Sequence, residues 1–236
     1  MKISTADLIV EVPEKGGMLS RCKGYEYYGK DSADIIIRAE LYDPTPYPEN
    51  LSEEEVAYLE SGWQFYAKLI KMGGLYLHSS AVELDGRAYL FSGPCGTGKS
   101  THTKLWQTMF GDAAQVFNDD KPALRFIDGA WYAYGTPWCG KDGINQNKKV
   151  KLAGICFLKQ ASENKIRRIS SKESIPLFCS QTLFSFPNSE ILDTFLENFG
   201  NLLEKIPVFE FENRPETEAA RMSCEAMKKA AEEMGL

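Results

Sequence analysis

The chain has 236 residues, 43% of them hydrophobic and 25% charged, with a formal net charge of −6. That length holds one sizeable core, or one core with a small appendage, and the composition excludes a disordered chain. The acidic balance argues against a broad nucleic-acid surface, and no apolar run reaches bilayer-spanning length. The opening residues Met1 to Asp7 lack a signal peptide's apolar stretch, and the six cysteines are scattered with no C-x-x-C pair. Together these features predict a cytoplasmic protein with free thiols and with neither nucleic acid nor membrane as partner.

Residues 1–48 read as a small strand-rich region. Ile3 to Val12 alternates loosely, Tyr25 to Tyr28 ends at a glycine, and Asp34 to Leu41 contains a β-branched run. The three are expected to form a small antiparallel sheet covering the main domain. Pro44, Pro46 and Pro48 then interrupt regular structure and mark a connector. Residues 49–236 read as the main domain. Ser52 and Glu55 make a capping box, and the helix they open should carry Val56, Leu59, Trp63, Tyr66, Ala67 and Ile70 on one core face before stopping at Gly73-Gly74. Trp63 and Tyr66 resemble a cofactor box, but at helical spacing they read as core.

Leu75 to Leu84 reads as one strand, with His78 either a core residue or a site residue. Asp85-Gly86 turns it back into the strand Arg87 to Phe91. A phosphate loop entered from a hairpin departs from the ordinary doubly wound nucleotide fold, so the α/β sheet is expected to be mixed. Gly93, Pro94, Cys95, Gly96, Thr97, Gly98, Lys99 and Ser100 then match G-x-x-x-x-G-K-[ST], and Thr101 continues the loop into a helix reaching Phe110. Glycines let backbone N–H groups converge on a phosphate chain, Lys99 adds a charge, and Ser100 offers a hydroxyl to Mg2+. The implied ligand is a nucleoside triphosphate at the positive end of that helix. The alternative is a glycine-rich turn with a fortuitous lysine.

The strand Ala114 to Phe117 delivers Asn118-Asp119-Asp120, two adjacent acids suited to a Mg2+ site, or else an acidic turn. Lys121 either holds a transferred phosphate or is a solvated turn lysine. A hairpin follows, Ala123 to Ile127 and Ala130 to Tyr134, turned by Asp128-Gly129. Gly135 to Lys149 reads as a mobile loop near the site. Further strands are expected at Val150 to Leu158, Lys165 to Ile169 and Val208 to Phe211. Helices are expected at Ser171 to Leu183, at Ser189 to Leu203, and from a first-turn Pro215 to Met234. His102, in the first turn after the loop, reads as a surface residue.

Leu77-His78-Ser79-Ser80-Ala81, the loop Gly93 to Thr101 and Asn118-Asp119-Asp120 stand in the order that resembles the HPr kinase/phosphorylase family and the related ATP-dependent phosphoenolpyruvate carboxykinases. The short HPr kinase-related proteins are the nearest likeness, and Gly135-Thr136-Pro137-Trp138 and Pro207 to Phe211 also resemble them. The resemblance runs from about Leu75 to the C-terminus. It implies a mixed-sheet P-loop core of the HPr kinase C-terminal or carboxykinase type, with ATP and Mg2+, or Mn2+ in its place, as cofactors. It implies Asp119 as the acid that takes the hydroxyl proton, Asp120 as a metal ligand, and His78 near the metal and assisting the chemistry. Lys99 completes the catalytic set and Ser100 the metal set.

The implied function is transfer of the γ-phosphate to a hydroxyl, serine first, of a peptide, protein or small molecule. A nucleotide-binding regulatory module with little turnover is the alternative from another class. A carboxykinase-like lyase is a third reading. A carboxykinase's substrate-binding amino-terminal half has no counterpart here, and the segment tied to phosphorylase activity has no match in Gly135 to Val150.

Overall fold

The computed structural model describes residues 1–14, 18–182 and 189–236. Its first sheet is small and formed by β1 (Lys2–Thr5), β2 (Leu8–Glu11) and β3 (Ile35–Ile36), in that order. The single strand expected over Ile3 to Val12 is instead a hairpin. Ala6 and Asp7, with φ of 55° and 54°, make a left-handed two-residue turn that neither glycine nor asparagine announces. The sheet is mixed rather than antiparallel, because β2 and β3 run in parallel. Of Tyr25 to Tyr28, Glu26 forms one isolated bridge with Ile3. A short helix, α1 (Met18–Arg21), has no clear sequence signal and carries Arg21 towards the main domain.

The long helix α2 (Glu53–Lys71) opens with the expected Ser52–Glu55 capping box. Its buried face is rotated from the expected one. Ser61, Gly62, Phe65, Tyr66, Leu69 and Ile70 are buried, whereas Trp63 is 38% exposed and is not core. The cause is Trp138, whose ring stacks on Phe65 with centroids 4.4 Å apart. A Cβ on Gly62 would meet Trp138 at 2.9 Å, so the helix presents Gly62 to that ring and turns Trp63 outward. Phe65, Tyr66 and Trp138 share one core with Ile3, Val10, Met18 and Tyr25, so the small sheet and the main domain are packed through common side chains.

The main elements follow as β4 (Gly74–Tyr76), β5 (Ser79–Leu84), β6 (Arg87–Ser92), α3 (Lys99–Phe110), β7 (Ala114–Asp120), β8 (Ala123–Ile127), β9 (Ala130–Tyr134) and β10 (Lys149–Gln160). The chain continues through β11 (Lys165–Arg168), α4 (Ser171–Cys179), α5 (Ser189–Lys205), β12 (Val208–Asn213) and α6 (Thr217–Glu233). The predicted α4 runs to Leu183, which lies outside the described residues. Pro215 precedes α6 by two positions rather than standing in its first turn.

The strands form a nine-stranded mixed sheet in the order β4-β8-β9-β10-β6-β5-β7, with β12 on β10 and β11 on β12. Leu75 to Leu84 is not one strand. It breaks at Leu77-His78, and its halves pair at opposite ends of the sheet, β4 with β8 and β5 with β6 and β7. Only three peptide steps separate Tyr76 from Ser79, a span of at most about 11 Å, so the sheet must curl until its ends approach. His78 lies in that short crossing.

Both Asp-Gly hairpins occur as expected, with φ of 53° and 73° at Asp85 and Gly86 and of 50° and 84° at Asp128 and Gly129. β5 is antiparallel to both β6 and β7. The carboxyl ends of β6 and β7 therefore reach the same sheet edge as the start of β5. One face of the sheet packs Phe91 and Phe211 against Trp106 of α3 and Met227 of α6. The other packs Leu90 and Ile155 against Phe178 of α4 and Phe199 and Leu202 of α5.

The loop after β9 is anchored, contrary to the expected mobility. Thr136, Trp138 and Cys139 are buried, and Gln146 N–H donates to the Phe117 carbonyl at 2.8 Å. At the loop's root, a Cβ on Gly135 would lie 1.8 Å from the Gln146 carbonyl oxygen. Backbone cannot yield as a side chain does, so Gly135→Ala is expected to cost about 3 kcal/mol, the upper end of overpacking penalties. Denaturant unfolding measures it, and a variant as stable as the parent would show that the loop is not held this tightly.

Candidate functional site

The phosphate loop links β6 to α3. Gly93 has φ of 144°, and a Cβ there would lie 2.9 Å from both the Leu158 carbonyl oxygen and Thr97 Oγ1. No larger residue fits that approach. Gly98, with φ of 96°, caps α3, which begins at Lys99 and directs its positive end at the loop. Pro94, Cys95, Gly96 and Thr101 are exposed, while Thr97, Gly98 and Ser100 are half-buried.

Lys99 is only 9% exposed. Its ammonium donates to the carbonyls of Gly93 at 2.8 Å and Pro94 at 3.3 Å. Burial lowers its pKa, opposed by the charges of Asp120, Cys95 and Asp119.

β7 is longer than the sequence suggests and carries the acids inside its last residues, where Asp119 and Asp120 oppose Ser80 and Ser79 of β5. Ser100 Oγ lies 3.1 and 2.9 Å from the two carboxylate oxygens of Asp119, which is 7% exposed. His78 Nε2 lies 2.6 Å from Asp120 Oδ1, and Lys121 Nζ is 3.4 Å from Asp120 Oδ2. His78, Lys99, Ser100, Asp119 and Asp120 thus meet at one sheet edge.

Asp120 has φ of 95°, an uncommon backbone state for a residue with a side chain. A buried web over-determines it. Asn118 accepts from the Lys121 N–H at 3.0 Å and donates to the Thr136 carbonyl at 2.9 Å. The hydroxyls of Tyr66 and Thr136 both donate to the Lys121 carbonyl.

Burial alone would raise the Asp120 pKa, but the His78 hydrogen bond and the Lys121 charge outweigh it and hold the carboxyl below its ordinary value of 3.8. The folded-state pKa is depressed, so this group's stabilisation is complete above the unfolded value and is lost as pH falls through the folded one. Acid melting of the parent is therefore expected to steepen below that ordinary value, and Asp120→Asn to flatten this part of the curve. Identical acid limbs in the two proteins would contradict the assignment.

Arg21, Tyr58 and Lys121 complete the surroundings, and of the three the sequence marks Lys121 alone, by its place directly after the acids. The Arg21 guanidinium lies 4.4 Å from the Tyr58 ring centroid and the Lys121 ammonium 4.8 Å from it. Arg21 also donates to the carbonyls of Cys139 at 3.0 Å and Gly140 at 3.2 Å. Gly140 covers both acids, since a Cβ there would lie 3.5 Å from Asp119 Oδ2 and from Asp120 Cβ. Lys121 is accordingly no solvated turn lysine.

His102 is also misplaced by the sequence reading. It is 1% exposed, and burial depresses its pKa to about 4, so it is neutral at neutral pH. Its Nε2 contacts Ser223 Oγ at 2.9 Å, and Trp106 Nε1 donates to the same oxygen at 2.9 Å. The residue ties α3 to α6.

No cluster of three or more His, Cys, Asp or Glu able to hold a metal occurs among the described residues. Ser100 and Asp120 instead present hard oxygen donors, the first against Asp119 and the second against His78. Such a set fits Mg2+, which takes a few protein oxygens and completes its shell with water and phosphate. Two recesses flank the loop. One, of about 410 Å³, lies against Cys95, Phe157, Leu177 and Glu210, and the other, of about 360 Å³, against Thr101, Leu105, Gln160 and Asn213. No helix among the described residues is long and apolar enough to cross a membrane.

Residues 49–212 match the family model described as SynChlorMet cassette protein ScmC. The chain belongs to this ScmC family. The ScmC match takes in His78, the phosphate loop, both acids and Lys121, and leaves Arg21 outside it. Among solved structures, the HPr(Ser) kinase/phosphatase from Coxiella burnetii is similar at 10% identity and a TM-score of 0.36, over 65% of this chain and 93% of that one. A search of curated proteins finds no match.

Proposed function

We propose that this ScmC-family chain is an ATP- and Mg2+-dependent phosphotransferase that moves the γ-phosphate to a hydroxyl, serine first, of a peptide, protein or small molecule. One observation carries the reading: Ser100 at the loop contacts Asp119 while the neighbouring Asp120 contacts His78, so a phosphate-binding loop and two differently partnered acids share one edge. A nucleotide-binding loop alone needs no such pair. Phosphoryl transfer does, because it calls for charge neutralisation at the phosphates and a base at the attacking hydroxyl.

Asp119 is assigned as that base. Asp120 suits the other role, since a carboxylate held below its usual pKa stays ionised and makes a poor proton acceptor. Asp120 and Ser100, with His78 beside them, would hold Mg2+ or Mn2+, which when bound neutralises phosphate charge. Lys99 exchanges its loop carbonyls for phosphate oxygens, and the residues Gly93 to Thr101 cradle the nucleotide. The acceptor's proton passes to Asp119, its oxygen bonds to the γ-phosphorus, and the bond to the β-phosphate oxygen breaks to release ADP. The mixed-sheet core of the HPr kinase or carboxykinase type belongs to this same reading. Purified protein, labelled ATP, Mg2+ and a panel of hydroxyl compounds test it, and ATP binding without transfer to any of them would count against it.

A further inference from the structure

Next to Lys121, the residue that follows the acids, is a recess of about 150 Å³ walled by Tyr47, Leu59, Trp63, Tyr66, Tyr76 and Lys121. Lys121 is the wall it shares with the acids, its ammonium lying 3.4 Å from Asp120. The other walls are aromatic or aliphatic. A space of this order admits a benzene-sized group. Trp63 is the indole that the helix turns outward, 38% exposed, at a position whose spacing marks it as core.

The aromatic walls are held in place: Tyr66 and Tyr76 have centroids 4.6 Å apart, and Tyr47 OH donates to Glu60 at 2.7 Å. Lys121 has a second cation for a neighbour. Lys121 and Arg21 both lie against Tyr58, and Arg21 reaches the Gly140 carbonyl that covers the acids.

We propose that this recess is the acceptor subsite and that the acceptor is an anionic hydroxyl compound bearing one ring-sized apolar group. The ring fills the space beside Trp63, Lys121 receives a carboxylate, and the hydroxyl is left facing Asp119. The inference rests on the phosphotransferase reading. It goes beyond that reading by assigning both the apolar and the charged half of the acceptor to named residues.

The probe is 3-phenyllactate, which carries a ring, a carboxylate and a hydroxyl. Lactate, without the ring, and 2-phenylethanol, without the carboxylate, are its controls. Trp106, Trp131 and Trp138 are buried, so acrylamide quenching of tryptophan emission reports chiefly on Trp63.

3-Phenyllactate is expected to protect Trp63 saturably, and each control to bind at least about tenfold more weakly, the scale of one charge-assisted contact for 2-phenylethanol and of apolar ring burial for lactate. Lys121→Gln should weaken 3-phenyllactate about tenfold and leave 2-phenylethanol unchanged, a difference that general disruption of the fold would not produce. Leu59→Phe, which fills the recess, should remove the advantage of 3-phenyllactate over lactate, with binding of a fluorescent ATP analogue reporting that the fold persists. Equal binding of the three probes, or a Lys121→Gln effect common to charged and neutral probes, would overturn the subsite.

Labelled ATP separates the two ideas. Transfer to lactate and 2-phenylethanol as readily as to 3-phenyllactate defeats the subsite and leaves the phosphotransferase. Selective 3-phenyllactate binding with no transfer to any hydroxyl defeats the phosphotransferase instead.

Discussion

Asp119→Asn is expected to slow phosphoryl transfer by about 10²–10⁴-fold, the contribution of a positioned general base, with ATP affinity little changed. The substitution keeps the size of the side chain and an oxygen for the Ser100 hydroxyl, but removes the group that takes the proton. The backbone at this position does not depend on the carboxylate. Asp119 N–H donates to the Ile144 carbonyl at 3.1 Å, and its own carbonyl accepts from Gly140 N–H at 2.6 Å. A loss of activity would therefore report on chemistry rather than on a displaced strand. Single-turnover transfer from labelled ATP gives the rate, and a fluorescent analogue gives the affinity. Full transfer by the variant would remove Asp119 from the role of base. A regulatory nucleotide-binding module would keep its partner interaction in the same variant.

What the sequence discloses of this site is what lies contiguous in the chain. The phosphate loop, the helix after it and the adjacent acids are each written in a few consecutive residues, because backbone geometry there is dictated locally. The two Asp-Gly hairpins are legible for the same reason. His78 is harder. The run Leu75 to Leu84 carries apolar residues at both ends and reads as one strand, and nothing in its periodicity tells that its halves pair at opposite ends of a curled sheet.

Arg21 and Tyr58 come from α1 and α2 and are ordinary residues in their own segments, whereas Lys121 is marked by following the acids but its role is left open by the sequence. Trp63 and His102 fail in opposite directions. Helical spacing marks Trp63 as core, but the distant Trp138 occupies the neighbouring face. The position of His102 near the helix start suggests exposure, but α6 covers it. Packing between elements remote in sequence decides all of these.

Lys99→Met is expected to abolish most of the thermal stabilisation that ATP confers. A ligand that binds only the folded state stabilises it by about 2.7 kcal/mol at one hundred times its Kd. Two charge-assisted hydrogen bonds to phosphate oxygens are worth enough that their loss raises Kd about 100-fold, which reduces that stabilisation at the same ATP concentration to about 0.4 kcal/mol. The N–H groups at the start of α3 remain, so binding weakens rather than vanishing.

The free protein should suffer as well. The Lys99 ammonium bonds the Gly93 and Pro94 carbonyls, and Gly93 is buried. Removing that donor leaves a buried acceptor unpaired, which costs about 1–3 kcal/mol. The variant should thus melt lower than the parent without ATP and gain little when ATP is added. Melting curves with and without nucleotide read both effects at once. An ATP-induced shift as large in Lys99→Met as in the parent would place the nucleotide away from this loop, and the acids at the end of β7 would then have no phosphate to act upon.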